Sequence, residues 1–585
     1  MKIFRFIIFI SVVIAFTGTT NSRWIKKNLK RMSIEDKVGQ MIIHVVRPNF
    51  VNQDSEYYAH LKFLVKDLKV GGLHVFKTPT YNLAFLLNKY QSWAKIPLLI
   101  SADLETGAGN IIRHEVYMGK KIDTFMPEYF SGGGVRFPPL MALGATRSKE
   151  LAYQMARVTA IEARSVGIHF NYSPVLDVNN NPDNPIINIR SFAEKVDLVT
   201  ELGISFIKGC QEHGLMATAK HFPGHGDTSE DTHIKLPVLN FDMIRLQSIE
   251  LPPFQAAINA GVKAIMSAHI ALPAVSKNLK PATLSQKILT DLLKKQMRFK
   301  GLVVTDAMVM GGITEKYNDR SSAIEAVKAG ADILLYFSKP EDAVDGILTA
   351  IKKGEITLER INRSVKKILE AKRWSGLHRN KLVDLNKIEQ ILGSRKHRQI
   401  AVKIADSAVT LLKNSSNFLP LSPENKNQEF YLLKISDSFD TDRGLHFNSH
   451  IKEKITLEKE FYWWQDSHHQ QIEEMVDLIP EKSIVICPVF IMIRASKGQL
   501  SVPEAIVMGL KRLVEKDCKV AVISFGSPYI YNQIPFVSGY LCAYFSTREL
   551  ELAAARIILG TLNPTGKLPV TIPGYFEFND GLSFE

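Results

Sequence analysis

From about residue 33 to residue 373 the chain alternates short apolar runs with amphipathic stretches, and this alternation restricts its fold more than any other feature. The runs are Met41–Val46, Gly72–Phe76, Leu98–Asp103, Ile168–Ser173, Leu215–Lys220, Ala264–His269, Leu302–Asp306 and Ile333–Phe337, and each reads as a buried strand. Helix-like stretches lie among them, including Glu150–Val166, Lys195–His213, Pro253–Ala260, Leu284–Met297 and Ala323–Ala329. Glu341–Lys352 and Glu359–Trp374 follow the last strand. Strands alternating with helices imply right-handed βαβ units and a parallel sheet. Eight such units predict a closed (β/α)8 barrel over residues 30–374. Barrels of this kind keep their chemistry at the C-terminal ends of the strands. Here those ends carry Asp103, Asp177, Lys220 with His221, His269 and Asp306.

At 585 residues the chain is too long for one domain of ordinary size. Residues 375–398, rich in Lys, Arg and His, read as a linker. Beyond it, over 399–585, a second alternating series appears. Phe430–Ile435, Ile484–Val489, Val520–Phe525 and Tyr540–Phe545 are expected strands, and Pro503–Val514 and Leu550–Leu559 expected helices. This pattern predicts a smaller three-layer α/β sandwich. At the other end, Lys2 and Arg5 precede the apolar run Phe6 to Phe16, and small polar residues follow. That is the pattern of a secretory signal peptide over residues 1–21, with a run too short to span a membrane. The expectation is an exported protein, periplasmic or extracellular, with no stable membrane insertion once the signal is removed. The uncleaved N-terminal anchor is the alternative.

Four cysteines, Cys210, Cys487, Cys518 and Cys542, have no metal-ligand spacing and are too few for a disulfide framework. The net charge of +14 suits work near anionic polymers. Its lysines are scattered rather than clustered, which argues against a nucleic-acid partner. The segment from Gly107 to Phe137, with Gly132-Gly133-Gly134 inside it, reads as a long loop after the third strand.

The densest chemistry lies in Lys220-His221-Phe222-Pro223-Gly224-His225-Gly226-Asp227-Thr228-Ser229-Glu230-Asp231-Thr232-His233, a Gly- and Pro-broken loop at the end of a buried strand. Asp231 and His233 stand two apart, so on an extended loop both side chains face the same way. A carboxylate bound to an imidazole fixes its tautomer and raises its basicity, giving an acid/base pair near neutral pH. Asp306, on a rigid strand at the barrel mouth, is placed as a nucleophile or as a stabiliser of positive charge. Its structural alternative is a helix N-cap. His221, His225 and Asp227 have the composition of a metal-ligand run, but Pro223 and the glycines make the segment a turn. The favoured expectation is therefore no metal and no cofactor.

These residues resemble glycoside hydrolase family 3, and in particular its β-N-acetylglucosaminidase branch. The run from Lys220 to Thr228 with Asp231-Thr232-His233 is similar to that branch's KHFPGHGDT signature and its following Asp-Ser-His. Asn188-Ile189-Arg190-Ser191-Phe192, Met266-Ser267-Ala268-His269-Ile270, Val304-Thr305-Asp306-Ala307-Met308 and Ile96 to Asp103 resemble further family segments. Ser407 to Asn414 and Gly566 to Val570 resemble parts of the family's second domain.

The resemblance implies retaining, two-step hydrolysis of a terminal β-linked N-acetylglucosamine on an oligosaccharide or peptidoglycan fragment. It implies Asp306 as nucleophile and His233, oriented by Asp231, as acid and then base. Asp103, Arg190, Lys220 and His221 would hold sugar hydroxyls, with His269 or Asp177 lining the site. The family usually follows its sugar-binding aspartate with Gln-Glu-Gly-Gly, whereas this chain has Leu104-Glu105-Thr106-Gly107. A family 3 β-glucosidase or β-xylosidase, a β-N-acetylglucosaminide phosphorylase and a metal-dependent barrel hydrolase are the competing expectations. A non-enzymatic envelope-binding protein is the remaining alternative.

Overall fold

The computed structural model describes residues 23–113, 133–230, 232, 234–276, 279–422, 428–438, 443–491 and 501–584. The expected signal peptide, the middle of the 107–137 loop, Asp231 and His233 lie outside the described residues.

All eight expected strands form. They are β1 (Ile42–Val46), β2 (Gly72–Val75), β3 (Leu99–Ala102), β4 (Phe170–Asn171), β5 (Thr218–Phe222), β6 (Ala264–Ser267), β7 (Leu302–Ala307) and β8 (Ile333–Leu335). They pair in the order β4-β3-β2-β1-β8-β7-β6-β5, and all pairs are parallel. Parallel bridges from Phe170 to Met216 and from Val175 to Lys220 join the two ends and close the barrel. The strands read as continuous apolar runs because both faces are covered, by helices outside and by barrel-filling side chains inside.

Some of the surrounding helices begin at a side-chain cap. Ser148 accepts from Leu151 N at the head of α1 (Lys149–Ser165), and Thr357 from Arg360 N before Leu358–Trp374. Each helix returns the chain to the barrel floor, so the polar strand ends gather on the opposite face.

The second unit is a six-stranded sheet of β9 (Thr410–Asn414), β10 (Phe430–Ser436), β11 (Lys459–Trp464), β12 (Ile484–Phe490), β13 (Lys519–Ser524) and β14 (Gly539–Cys542). Its order is β9-β14-β13-β12-β10-β11, parallel except for the β9 edge. Alternate residues of β10 enter different cores: Tyr431, Leu433 and Ile435 face one, Phe430 and Leu432 the other. Helices His469–Asp477 and Glu504–Glu515 cover the first face, and Leu445–Lys452 and Arg548–Ile558 the second. The result is the expected three-layer sandwich.

Between the two units, residues 375–398 run back along the barrel wall. The Asn88 side chain exchanges two hydrogen bonds with the backbone of Val383, and Ile388 joins the barrel core. A helix, Arg395–Ala408, then carries the chain into the sandwich. The join is intimate. Met141, Ala142, Ala145 and Ile189 belong to the sandwich core, Glu194 binds the Thr571 backbone and hydroxyl, and the Asn179 amide donates to the Tyr529 hydroxyl at 3.0 Å. Among the described residues no helix is long and apolar enough to cross a membrane.

Candidate active site

At the C-terminal ends of the strands a connected ionic cluster forms. Lys220, on β5 and only 3% exposed, donates to Asp103 at 3.0 Å and to Glu105 at 2.6 Å. Glu105 also receives a two-pronged contact from Arg190, with Nε at 2.9 Å and Nη2 at 2.8 Å. The fork of the guanidinium matches the two carboxylate oxygens, which fixes both side chains. Arg190 Nη2 lies 3.5 Å from His221 Nε2. The structure thus unites Asp103 from the end of β3, Arg190 from the segment after β4, and Lys220 and His221 from β5.

Burial alone raises the Glu105 carboxyl pKa, but Arg190 and Lys220 outweigh it and bring it down to about 2. Burial likewise opposes ionisation of Asp103, and Lys220 with His74 holds that carboxyl well below its usual range. The Lys220 ammonium, disfavoured by burial, is raised by the same two acids. All are charged at neutral pH. Asp103 keeps 40% of its side chain exposed and Arg190 27%, so the cluster faces solvent with capacity to spare.

Asp306 lies on β7, half-buried, with its own strand rather than a helix accounting for its position. Its Oδ1 accepts from Ala307 N at 2.7 Å. Burial pushes its pKa up, yet the fields of His221, His269 and Lys220 and the Ala307 N–H hold it below the usual carboxylate value. An ionised carboxylate beside this cluster can attack an electrophilic carbon or stabilise positive charge.

Asp177 and His269 are placed differently from the sugar-lining position expected of them. Asp177 has no exposed surface. Its oxygens accept from His221 N, His221 Nδ1 at 2.7 Å and His225 N at 2.7 Å, so it anchors the β5 loop from behind. His269 is 1% exposed, with Nδ1 2.9 Å from the Thr283 hydroxyl and Nε2 3.0 Å from the Ala307 carbonyl. It buttresses the backbone next to Asp306.

The three side chains of the metal expectation go to separate partners. His221 binds Asp177, His225 sits between the Thr228 and Thr232 hydroxyls, and Asp227 pairs with Arg245 at 2.7 Å. Burial, with His221 nearby, lowers the His225 pKa to about 4, leaving a neutral ring suited to those hydroxyls.

Asp231 and His233 lie outside the described residues, but Thr232 between them is fixed. Its carbonyl accepts from Gly312 N at 3.2 Å, and its buried hydroxyl meets His225 Nε2 at 3.2 Å. Gly312 lies six residues beyond Asp306, and a Cβ there would press on His269 at 3.2 Å.

Sequence reasoning missed two members of the site. Glu105 stands out in the sequence only as a departure from the family motif, although it lies two residues past Asp103 at a strand end. His74 stacks on Tyr172 at 5.3 Å, and its Nε2 lies 3.5 Å from Asp103. Its signal was a polar residue inside the apolar run of β2.

Comparison with known proteins agrees with this geometry. Residues 126–371 match the glycosyl hydrolase family 3 N-terminal domain, and residues 409–581 match the C-terminal domain of the same family. The chain is 31% identical over 410 residues to a β-N-acetylglucosaminidase/β-glucosidase of Cellulomonas fimi, covering 68% of each protein. It is 27% identical to β-hexosaminidase A of Pseudoalteromonas piscicida, over 88% of this chain and 91% of that one. A solved family 3 β-N-acetylglucosaminidase from Paenibacillus superposes with a TM-score of 0.78 at 29% identity, covering 92% of this chain and 99% of the other. Motif, fold and relatives converge: the chain belongs to glycosyl hydrolase family 3 and is a glycoside hydrolase.

Proposed function

We propose that the protein is an exported, retaining β-N-acetylglucosaminidase that releases terminal β-linked N-acetylglucosamine from cell-wall or chitin-type saccharides. The observation that carries the mechanism is an ionised Asp306 at the barrel mouth, with Thr232 of the Asp-Thr-His loop bonded to the backbone just beyond it. Asp306 attacks the anomeric carbon while His233, oriented by Asp231, gives its proton to the departing oxygen. The glycosyl-enzyme then breaks down as His233 takes a proton from water, whose oxygen displaces Asp306. Arg190 and Lys220 donate to sugar hydroxyls, and Asp103 accepts from them.

Retaining enzymes commonly use two carboxylates. An imidazole in the second role avoids repulsion from a carboxylate-bearing aglycone such as a peptidoglycan fragment. The names of the relatives support the sugar assignment, and one of those names includes β-glucosidase activity. A glucosidase is therefore the second reading.

Trapping with a fluorinated N-acetylglucosamine analogue, followed by peptide mapping, tests the mechanism. Label is expected on Asp306, and label on any other residue overturns it. Turnover of nitrophenyl N-acetylglucosaminide against nitrophenyl glucoside separates the two sugars. His233→Ala is expected to lose roughly 10²–10⁴-fold on natural saccharides and much less on nitrophenyl substrates, whose leaving group departs without a proton.

A further inference from the structure

A cavity with cationic side chains in its lining lies on the face of the barrel opposite the ionic cluster. Of about 360 Å³ and open to solvent, it falls at the small end of small-molecule sites. It sits where the segment after the barrel crosses the C-terminal end of α1, against Arg164, His169, Ser375, Lys381 and Lys387. Arg164 and Ser375 end barrel helices and His169 directly precedes β4, so this is the floor, remote from Asp306.

Its electrostatics are unbalanced. Arg164 donates through Nη2 to the Ser375 carbonyl at 3.0 Å, while its buried Nη1 has no partner. The Ser375 hydroxyl, in a residue 4% exposed, also has none. Among the described residues Lys381 donates only to the Ala94 carbonyl, at 3.0 Å, and Lys372, whose charge acts on His169, only to the Gln40 amide oxygen at 2.5 Å. Among the described residues no carboxylate pairs with Arg164, Lys372 or Lys381. Burial therefore lowers Arg164 to about 10 and Lys372 to about 7, and depresses Lys381 as well. The one acid at the rim, Asp384, already serves Lys387 at 3.9 Å and caps Asn386.

Uncompensated buried cations are costly unless something pairs them. The lining presents the Arg164 guanidinium and the Lys381 and Lys387 ammoniums beside the Ser375 end of its helix, and guanidinium and ammonium groups are the donors that recognise phosphate. We infer that this floor cavity is a binding site for a small phosphate-bearing ligand, separate from the catalytic mouth.

Calorimetric titration of the full chain tests this, at constant ionic strength and with saturating N-acetylglucosamine occupying the catalytic cleft. The probes are inorganic phosphate and a hexose phosphate, with acetate as control. Binding of a phosphate probe is expected, and tighter binding of the hexose phosphate would identify a phosphorylated metabolite rather than free phosphate. Lys381→Met should weaken it by about tenfold, the worth of one charge-assisted hydrogen bond, and Ser375→Ala by less. Both variants should keep wild-type turnover of nitrophenyl substrate, which shows that they fold. Absence of binding by the wild type would overturn the inference. So would equal binding of acetate, binding undiminished in Lys381→Met, or binding abolished by N-acetylglucosamine.

Discussion

Two of the barrel's carboxylate–cation clusters, one at its mouth and one near its floor, are built to opposite ends. At the floor, Asp332 at the start of β8 is 1% exposed, and every direction around it is filled. It accepts from Val303 N, from the Ser364 hydroxyl at 2.6 Å and from Lys367 at 3.1 Å, with Lys294 and Arg360 close by. At the mouth, Asp103 and Arg190 share the same kinds of partner but keep open sides. A cluster closed on itself fixes a fold, whereas one with donors and acceptors left over can hold something else.

The largest way to break that contrast is Asp306→Asn beside the mouth cluster. Loss of kcat/KM by at least roughly 10⁴-fold is expected, with the denaturation midpoint unmoved. Steady-state kinetics and a urea melt on one preparation check it. The floor should behave in reverse. Asp332→Asn leaves Lys294, Lys367 and Arg360 facing one another without an acid, and should cost about 3–5 kcal/mol of stability while folded enzyme turns over normally. A mid-sized effect belongs to Glu105→Gln. Losing the charge opposite Arg190 and Lys220 should cut kcat/KM by about 10–100-fold, with little change in melting temperature. Equal damage to stability and catalysis in either cluster would erase the distinction.

The smallest effect is one of pH. Glu250 is packed against Gly224 of the loop after β5, where burial raises its pKa to about 7 despite Arg245 at 3.5 Å. Its folded value lies above the ordinary carboxyl value of about 4.3, so the native state favours the proton. The stability it contributes is full below about pH 4 and is lost as pH rises through about 7. Glu250→Gln should flatten that slope in melts taken across the range.

Much of this was legible in the sequence because most barrel strands are short, largely apolar runs and several are followed by a polar residue. The sandwich edges were harder. In β11 Lys459 and Glu460 are exposed, and in β9 Lys413 and Asn414 are half-buried, so neither shows the apolar block of a central strand. Glu105 escaped because its meaning lies in Arg190, 85 residues away, a pairing that only the closed barrel creates. The sequence marks Asp177 at its strand end but not the direction its carboxylate takes. Three donors from the β5 loop turn it inward, and no local pattern announces that.

Ile189, which packs in the sandwich core, is the neighbour of Arg190, which grips Glu105. Topology divides the molecule in two, yet this one dipeptide sends its first side chain into the sandwich and its second into the ionic cluster at the barrel mouth. A barrel excised at residue 374 would leave Ile189 and Met141 without cover and loosen the arginine beside them. The sandwich therefore acts as a wall against which the cleft is braced, and the two halves should lose their order together on heating.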